Sequence, residues 1–322
     1  MKKYSKVKRL GAPETKGMLQ KPGKLFIKEK YDGQNMRLKA DHENKRILYG
    51  SRNAVYKNEE DTAKTYRQGV NYIEDQVGLD YETLAALENE FKAELTLFVE
   101  NMVRHSLEYD RDSMPQVIGI DVYIHREEEE GQYAHPGTVE MVFNDLGIKP
   151  ARTVDVVEAT EFDLEKFEIP ESEYRDGKAE GVIFKHEDFI SPVKNRKQYA
   201  KTVSEEFKEK HRNSTGYTKK DAETGADKLI ANYCTNARIK KTVHKMTKDR
   251  GHSLEMSLMG NDESAHGLGL PIRVSRDILE EEHAEIVHKN WVIDMKEFRS
   301  KVADRCVNVL KQMIHAEAVN AN

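Results

Sequence analysis

The chain has 322 residues, room for two domains with a substantial core, and its 52 Lys+Arg against 57 Asp+Glu give a formal net charge of −5. That balance excludes a uniformly basic protein, so any surface for nucleic-acid phosphates has to be a local patch. Cys234 and Cys306 are the only cysteines, and without a C-x-x-C or a His cluster at zinc spacing they exclude a disulfide framework and a structural zinc site. The start of the chain carries no apolar signal core and no run of eighteen apolar residues occurs, so a reducing, cytoplasmic setting away from membranes is expected.

The first candidate basic patch is the Lys-rich start, Lys2, Lys3, Lys6, Lys8 and Arg9. Short strand patterns follow at Lys24 to Glu29, Met36 to Ala40, Arg46 to Tyr49, Ala93 to Val99, Gln116 to Ile124 and Gly181 to Lys185. Helical periodicity lies between them, at about Glu59 to Val77, Tyr81 to Phe91 and Thr138 to Leu146. Glu127 to Glu130, before Gly131, reads as an exposed loop. This alternation predicts an antiparallel α+β domain that holds a ligand between sheets.

The first strand runs into Lys30-Tyr31-Asp32-Gly33. An isolated Asp-Gly after a strand is a turn, but K-x-D-G is also the signature of a lysine that becomes covalently attached to a nucleotide. A phosphoramidate keeps the phosphoryl group activated for transfer while holding it on the protein. The amine, with an ordinary pKa of about 10.4, must lose its proton first, which predicts nearby positive charge, a metal or burial. A second block, Glu180-Gly181-Val182-Ile183-Phe184-Lys185, is followed after a loop by Gln198-Tyr199-Ala200-Lys201-Thr202-Val203.

Together these motifs resemble the covalent nucleotidyltransferase superfamily, and more closely the RNA ligase 2 family of phages and of kinetoplastid RNA-editing ligases. Glu29 to Asn35 stands at the nucleotidyl-lysine motif, Gly50-Ser51-Arg52-Asn53 at the next, and Leu97 to Asn101, with His105-Ser106 and Tyr109-Asp110, at the segment whose Glu binds ribose. Gly119-Ile120-Asp121-Val122-Tyr123 resembles the strand that backs adenine, and Glu180 and Lys201 fall on the last two motifs. Three positions depart from the pattern. Asp32 stands where these relatives often carry His, Ile120 where an aromatic ring faces adenine, and Val203 where a second lysine follows Lys201, a role that Lys194, Arg196 or Lys197 could take.

The resemblance implies a nucleotidyltransferase domain of ATP-grasp-like antiparallel sheets over residues 1–212, followed by a smaller all-helical domain over 213–322. The Arg212 to Gly216 stretch reads as a linker. Helical patterns then run over Asp227 to Asp249, Ser275 to Lys289 and Trp291 to Ala318, with Ser275 as an N-cap. Gly251 to Gly269, with His252 and His266, reads as a loop. Further candidate basic patches are Lys194 to Lys201 and Lys208 to Arg212 with Lys219 and Lys220.

By the same resemblance Lys30 is the nucleophile on ATP, with Asp32, Gly33 and Asp121 completing motifs. Nucleotide contacts fall to Glu29, Asn35, Arg52, Glu100, Ile120, Glu180, Lys185 and Lys201, and Glu180 and Asn35 would hold Mg²⁺ through water. The implied activity is ATP-dependent joining of RNA 5′-phosphate and 3′-hydroxyl ends in the cytoplasm, including that of a host if the protein is encoded by a virus or phage. Two rivals use the same lysine: a nick-sealing DNA ligase and a capping guanylyltransferase, each of which adds an OB-fold after the last motif. A third is a catalytically silent RNA-end-binding module. No sequence feature identifies a protein partner.

Overall fold

The computed structural model describes residues 1–56, 62, 64–103, 107–127, 129–204, 224–247, 252–261 and 267–320. It divides into two units, Met1–Ser204 and Glu205–Asn322. The expected boundary after residue 212, the linker, and the basic residues Lys208 to Lys220 lie outside the described residues.

In the first unit the strands are β1 (Lys8–Arg9), β2 (Lys24–Lys30), β3 (Gln34–Asp41), β4 (Arg46–Ser51), β5 (Val55–Tyr56), β6 (Glu94–Asn101), β7 (Val117–His125), β8 (Gln132–Tyr133), β9 (Thr153–Glu158), β10 (Gly181–His186) and β11 (Ala200–Val203). They form a five-stranded sheet in the order β1-β11-β10-β2-β9 and a six-stranded sheet in the order β5-β4-β3-β6-β7-β8. All pairs are antiparallel except β1 with β11. The α+β class and the antiparallel sheets are those expected from the sequence.

Strand periodicity decides what each sheet buries. In the five-stranded sheet Leu25, Ile27, Val182 and Phe184 point into one apolar core, which leaves Phe26, Lys28, Lys30, Ile183 and Lys185 on the opposite face. In the six-stranded sheet Met36, Leu38, Leu97 and Val99 pack beneath helices α1 (Lys64–Asn71), α2 (Tyr81–Phe91) and α3 (Pro136–Asp145). Asn35, Arg37, Phe98 and Glu100 occupy its other face by alternation. The polar faces meet: Lys185 of one sheet forms an ion pair with Asp121 of the other. A cluster of Phe98, Tyr123, Tyr133 and Tyr199, with Tyr4, Ile120 and Ile183 against it, fills the space between them.

Local signals explain the helix ends. Asp80 accepts the Thr83 N–H at the start of α2, and Lys92 closes it in the left-handed region at φ 48°. The helix expected over 59–77 is α1 continued by a π-helical stretch, Tyr72–Val77, with residues 57–61 and 63 outside the described ones.

The second unit is helical: α4 (Gly225–Tyr233), α5 (Asn236–Thr247), α6 (Leu270–His288) and α7 (Met295–Asn320). They bury Leu229, Ile239, Val243, Val274, Ile278, Phe298 and Val302 in one core. Three expectations need correction. The helix read over 227–249 is two, broken where Thr235 caps α5 by accepting the Arg238 N–H. Ser275 is no N-cap: α6 starts at Leu270-Pro271, and Ser275 lies inside it with a buried Oγ that finds no partner among the described residues. The last helix begins at Met295 rather than Trp291, because Asp294 accepts the N–H groups of Lys296 and Glu297. His252 lies in the connection between α5 and α6, and His266 is outside the described residues. Cys234 and Cys306 are buried and unoxidised, and burial pushes the Cys234 thiol up to about 11. No described helix is long and apolar enough to cross a membrane.

Candidate active site

Lys30 is the last residue of β2, opposite Gly181 of β10. Its amine makes an ion pair with Glu180, the residue just before β10, and reaches the Tyr31 carbonyl at 3.4 Å. Two glycines make this approach feasible. A Cβ on Gly181 would lie 2.1 Å from the Thr202 carbonyl oxygen, and one on Gly33 would lie 2.7 Å from Glu100 Cγ and 2.8 Å from the Asn101 carbonyl oxygen. The glycines of both motifs are thus required where strands close on one another.

Asp32 supports the turn rather than facing a ligand. Its carboxylate accepts the Leu107 N–H at 3.1 Å, and its own N–H donates to the Tyr109 hydroxyl at 3.0 Å. The turn therefore fixes the segment after β6, whose residues His105 and Ser106 lie outside the described ones.

Burial acts to lower the Lys30 pKa, but the charges of Glu180 and Glu100, the Glu180 hydrogen bond and Asp32 outweigh it and hold it above the ordinary lysine value. Of the three means expected to lower it, positive charge, a metal or burial, burial is present at Lys30 and is outweighed by the carboxylates. Among these carboxylates the amine is held as an ammonium, and the setting attracts cations.

Asn35 stands directly opposite Glu100 in the β3–β6 pairing. Its amide Oδ1 and Nδ2 are buried and unpartnered among the described residues, as is Oε1 of the neighbouring Gln34. Orphaned buried amide atoms beside an acidic cluster mark a place for a ligand. The same observation tests a divalent cation: Glu180, Glu100 and the Asn35 amide supply hard oxygen donors, yet no described group of three His, Cys, Asp or Glu forms a ready cage. That set fits an ion held largely by phosphates and water, as Mg²⁺ prefers.

Other predicted residues are placed differently. Glu29 turns to the opposite face of the sheet from Lys30, where it accepts Ser172 Oγ at 2.7 Å and the Glu173 N–H at 3.1 Å, with Arg152 at 3.5 Å; its carboxylate anchors the 170–174 loop, and burial raises its pKa. Lys185 is sealed between the sheets, bonded to Asp121 at 2.9 Å and to the Ile120 carbonyl at 2.6 Å, with the Tyr199 ring beneath it at 4.8 Å. The nucleotide contact expected of it would need that pair to break. Ile120 is the residue passed over by the β6–β7 register shift, between Val99↔Gly119 and Phe98↔Asp121, and it packs on the aromatic cluster. Arg52 follows β4 and donates to the Ser5 carbonyl at 3.2 Å. Lys201 sits on β11 opposite Ile183, on the same sheet face as Lys30. Of the substitutes for the second lysine, Lys197 feels the charges of Asp121 and Lys185 and burial lowers its pKa, while Arg196 acts on Tyr133 and Lys194 on Glu14.

Sequence reading passed over Lys28. It is buried two residues before Lys30, on the same face, in an ion pair with Glu140 of α3 and 2.6 Å from Thr153 Oγ1. The spacing of two from the nucleophile was the available signal. Arg37 was missed as well: it is fully buried, and its guanidinium donates to the carbonyls of Ser51, Lys2 and Ala54 at 2.6, 2.9 and 2.9 Å.

The RNA ligase family model matches residues 23–222, and the chain belongs to the RNA ligase family. No curated protein matches. Among solved structures, Naegleria gruberi RNA ligase with PPi is 20% identical, with 66% of this chain and 58% of that chain covered and a TM-score of 0.47. Two variants of that ligase with ATP and Mn are 19% and 18% identical, with TM-scores of 0.47 and 0.48 over 65% and 66% of this chain and 58% of theirs. The chain thus spans less than two thirds of these structures.

Proposed function

We propose that the chain is an ATP-dependent polynucleotide ligase that joins 5′-phosphate and 3′-hydroxyl RNA ends through a lysyl-AMP and an adenylylated 5′ end. The observation that carries this reading is the Lys30–Glu180 pair, acted on by the Glu100 charge, with the orphaned Asn35 amide opposite Glu100 in the facing sheet.

In the first step Lys30 Nζ bonds to the α-phosphorus of ATP as the bond to the leaving pyrophosphate breaks. Glu180, already in contact with the ammonium, is placed to take its proton. Lys201 steadies the α-phosphate and Glu100 accepts hydrogen bonds from the ribose hydroxyls. A divalent cation, Mg²⁺ in this reading, would be held through water by Glu180 and Asn35 and would supply neutralisation of phosphate charge. Positioning and charge neutralisation then provide most of the acceleration. In the second step AMP passes from Lys30 to a 5′-phosphate, with Arg52 offering a planar fork to that phosphate. In the third a 3′-hydroxyl attacks the activated phosphate and AMP leaves.

We assign nucleotide handling to residues 1–212 and nucleic-acid engagement in part to 213–322. Incubation with α-labelled ATP, and separately α-labelled GTP, tests the reading. A labelled protein with ATP alone supports it, labelling with GTP would favour a capping enzyme, and no labelling would favour a silent end-binding module. Sealing of a nicked DNA duplex in preference to an RNA one would make it a DNA ligase.

A further inference from the structure

We infer that Arg9 is a second phosphate-binding cation of the last motif, delivered by the N-terminal strand in compensation for the apolar Val203. This inference rests on the ligase reading and names one more residue that touches the nucleotide phosphates.

Val203 lies opposite Gly181, which itself lies opposite Lys30, so position 203 belongs to the row of the nucleophile and carries no charge there. The next row of the same face runs Lys28, Ile183, Lys201 and, across the parallel β1–β11 pair, Arg9. Residues paired across neighbouring strands share a face, and strands lie about 4.8 Å apart. Arg9 therefore stands one strand beyond Lys201 and on its side of the sheet. Lys8 falls on the reverse face by alternation, where it pairs with Glu14 at 3.0 Å.

The backbone at Arg9 is fixed for this task. Its carbonyl accepts from Ala12 N–H at 3.1 Å and from Thr15 Oγ1 at 2.8 Å, and the Leu10 N–H donates to the Lys201 carbonyl at 3.0 Å. The segment before it is tied to the opposite sheet. Tyr4 donates to Asp121 at 3.1 Å, the Ser5 N–H to the Tyr133 hydroxyl at 2.9 Å, and Arg52 to the Ser5 carbonyl at 3.2 Å. One strap thus reaches both cations assigned to phosphate, Lys201 and Arg52. It lies before residue 23, where the family match begins. A guanidinium suits the place because its planar fork can hold two phosphate oxygens at once.

Full-length Arg9→Gln, which removes the charge and keeps a polar side chain, and Arg9→Lys would be assayed for formation of labelled lysyl-AMP and for ATP affinity by calorimetry. Arg9→Gln is expected to lose about ten- to hundredfold in labelling rate and to bind ATP more weakly, with Arg9→Lys in between. Adding Val203→Lys to Arg9→Gln should restore most of the rate, because it returns the charge to the family's own position. Lys16→Ala, at an exposed lysine of the same segment, should leave the rate unchanged and so exclude a net-charge effect. Parental labelling rate and ATP affinity in Arg9→Gln, or a loss that Val203→Lys does not correct, overturns the role of Arg9 while the ligase reading stands. No labelling of the unaltered protein by ATP overturns both.

Discussion

Two lysines on one face of one sheet, Lys30 and Lys185, are each paired with a carboxylate, and the pairs behave as opposites. The Lys185 and Asp121 side chains are 5% and 0% exposed. Asp121 also accepts from Tyr4 and from the Val122 N–H, and Lys185 from its second side is bonded to the Ile120 carbonyl. Charge and hydrogen-bonding capacity are balanced inside the molecule, so the pair joins the sheets. At Lys30 and Glu180 the exposures are 22% and 7%, and Glu100 and Asp32 add negative charge that one ammonium does not neutralise. The surplus is what a bound cation can neutralise, and the Asn35 amide atoms are unpartnered among the described residues. Identical residue types thus give a structural tie where the charges balance and a candidate site where they do not.

The comparison breaks first at the nucleophile. Lys30→Ala should abolish labelling by ATP while a chemically pre-adenylylated strand is still sealed, since that step no longer uses the amine. Its fold should stay intact, because an amine beside the polar Asp-Gly turn contributes little to packing, although the buried Glu180 carboxylate loses its ion-pair partner. Retained labelling would remove Lys30 from its role. Asp121→Ala should do the reverse. It strands the Lys185 ammonium between the sheets, at a cost of about 3–5 kcal/mol read from urea unfolding. Adding Lys185→Met to Asp121→Ala should recover part of that loss. An Asp121→Ala protein as stable as the parent would show that the pair does not join the sheets.

A smaller effect is expected at the turn after Lys30. A Cβ at Gly33 meets the Asn101 carbonyl oxygen and Met102 Sδ, both at 2.8 Å. The backbone atom cannot swing away, so Gly33→Ala should cost about 1–3 kcal/mol and displace Glu100. Labelling by ATP should fall with it. Gly137→Ala, on α3, where the nearest atom is 3.4 Å from the added Cβ, should instead gain about 0.5–1 kcal/mol from helix propensity. Equal melting temperatures for the two variants would remove close strand approach as the reason for the motif glycine.

Much of this site is legible in the sequence because its chemistry fixes residue types at strand ends. Lys30, Gly33, Glu180 and Gly181 sit where strands converge, and a side chain on either glycine would collide with the neighbouring strand. What could not be read was set by distant partners. Glu180 and Glu100 were named as site residues, but Glu180 lies 150 positions from Lys30, so that their charges outweigh burial at the lysine could not be read locally. Glu29 looked like part of the site by adjacency, and strand alternation turns it to the other face. The edge strand β9 went unread because Thr153 to Glu158 is half exposed and lacks clean alternation of apolar and polar residues. Ser275 misled because an N-cap residue type also tolerates a helix interior, while Pro271 was the better start signal.

The smallest expected effect concerns the wall between the two ion pairs. Ile120 is bulged out of the β6–β7 register, and its carbonyl is held by Lys185, so its position is set by the sealed pair while its side chain packs on the aromatic cluster between the sheets. Of the aromatic residues that could replace it against adenine, Phe184 faces the other core, 5.5 Å from Phe162, and Tyr123 is engaged by Lys2 at 3.0 Å. Neither offers a free ring. Ile120→Phe should then add stacking of about 1 kcal/mol and tighten ATP binding about fivefold, with little change in the rate of the chemical step. Titration calorimetry on the variant and the parent measures this. Weaker binding by a protein of parental stability would mean that the bulge leaves no room for a ring, and that aliphatic packing is the form the site requires.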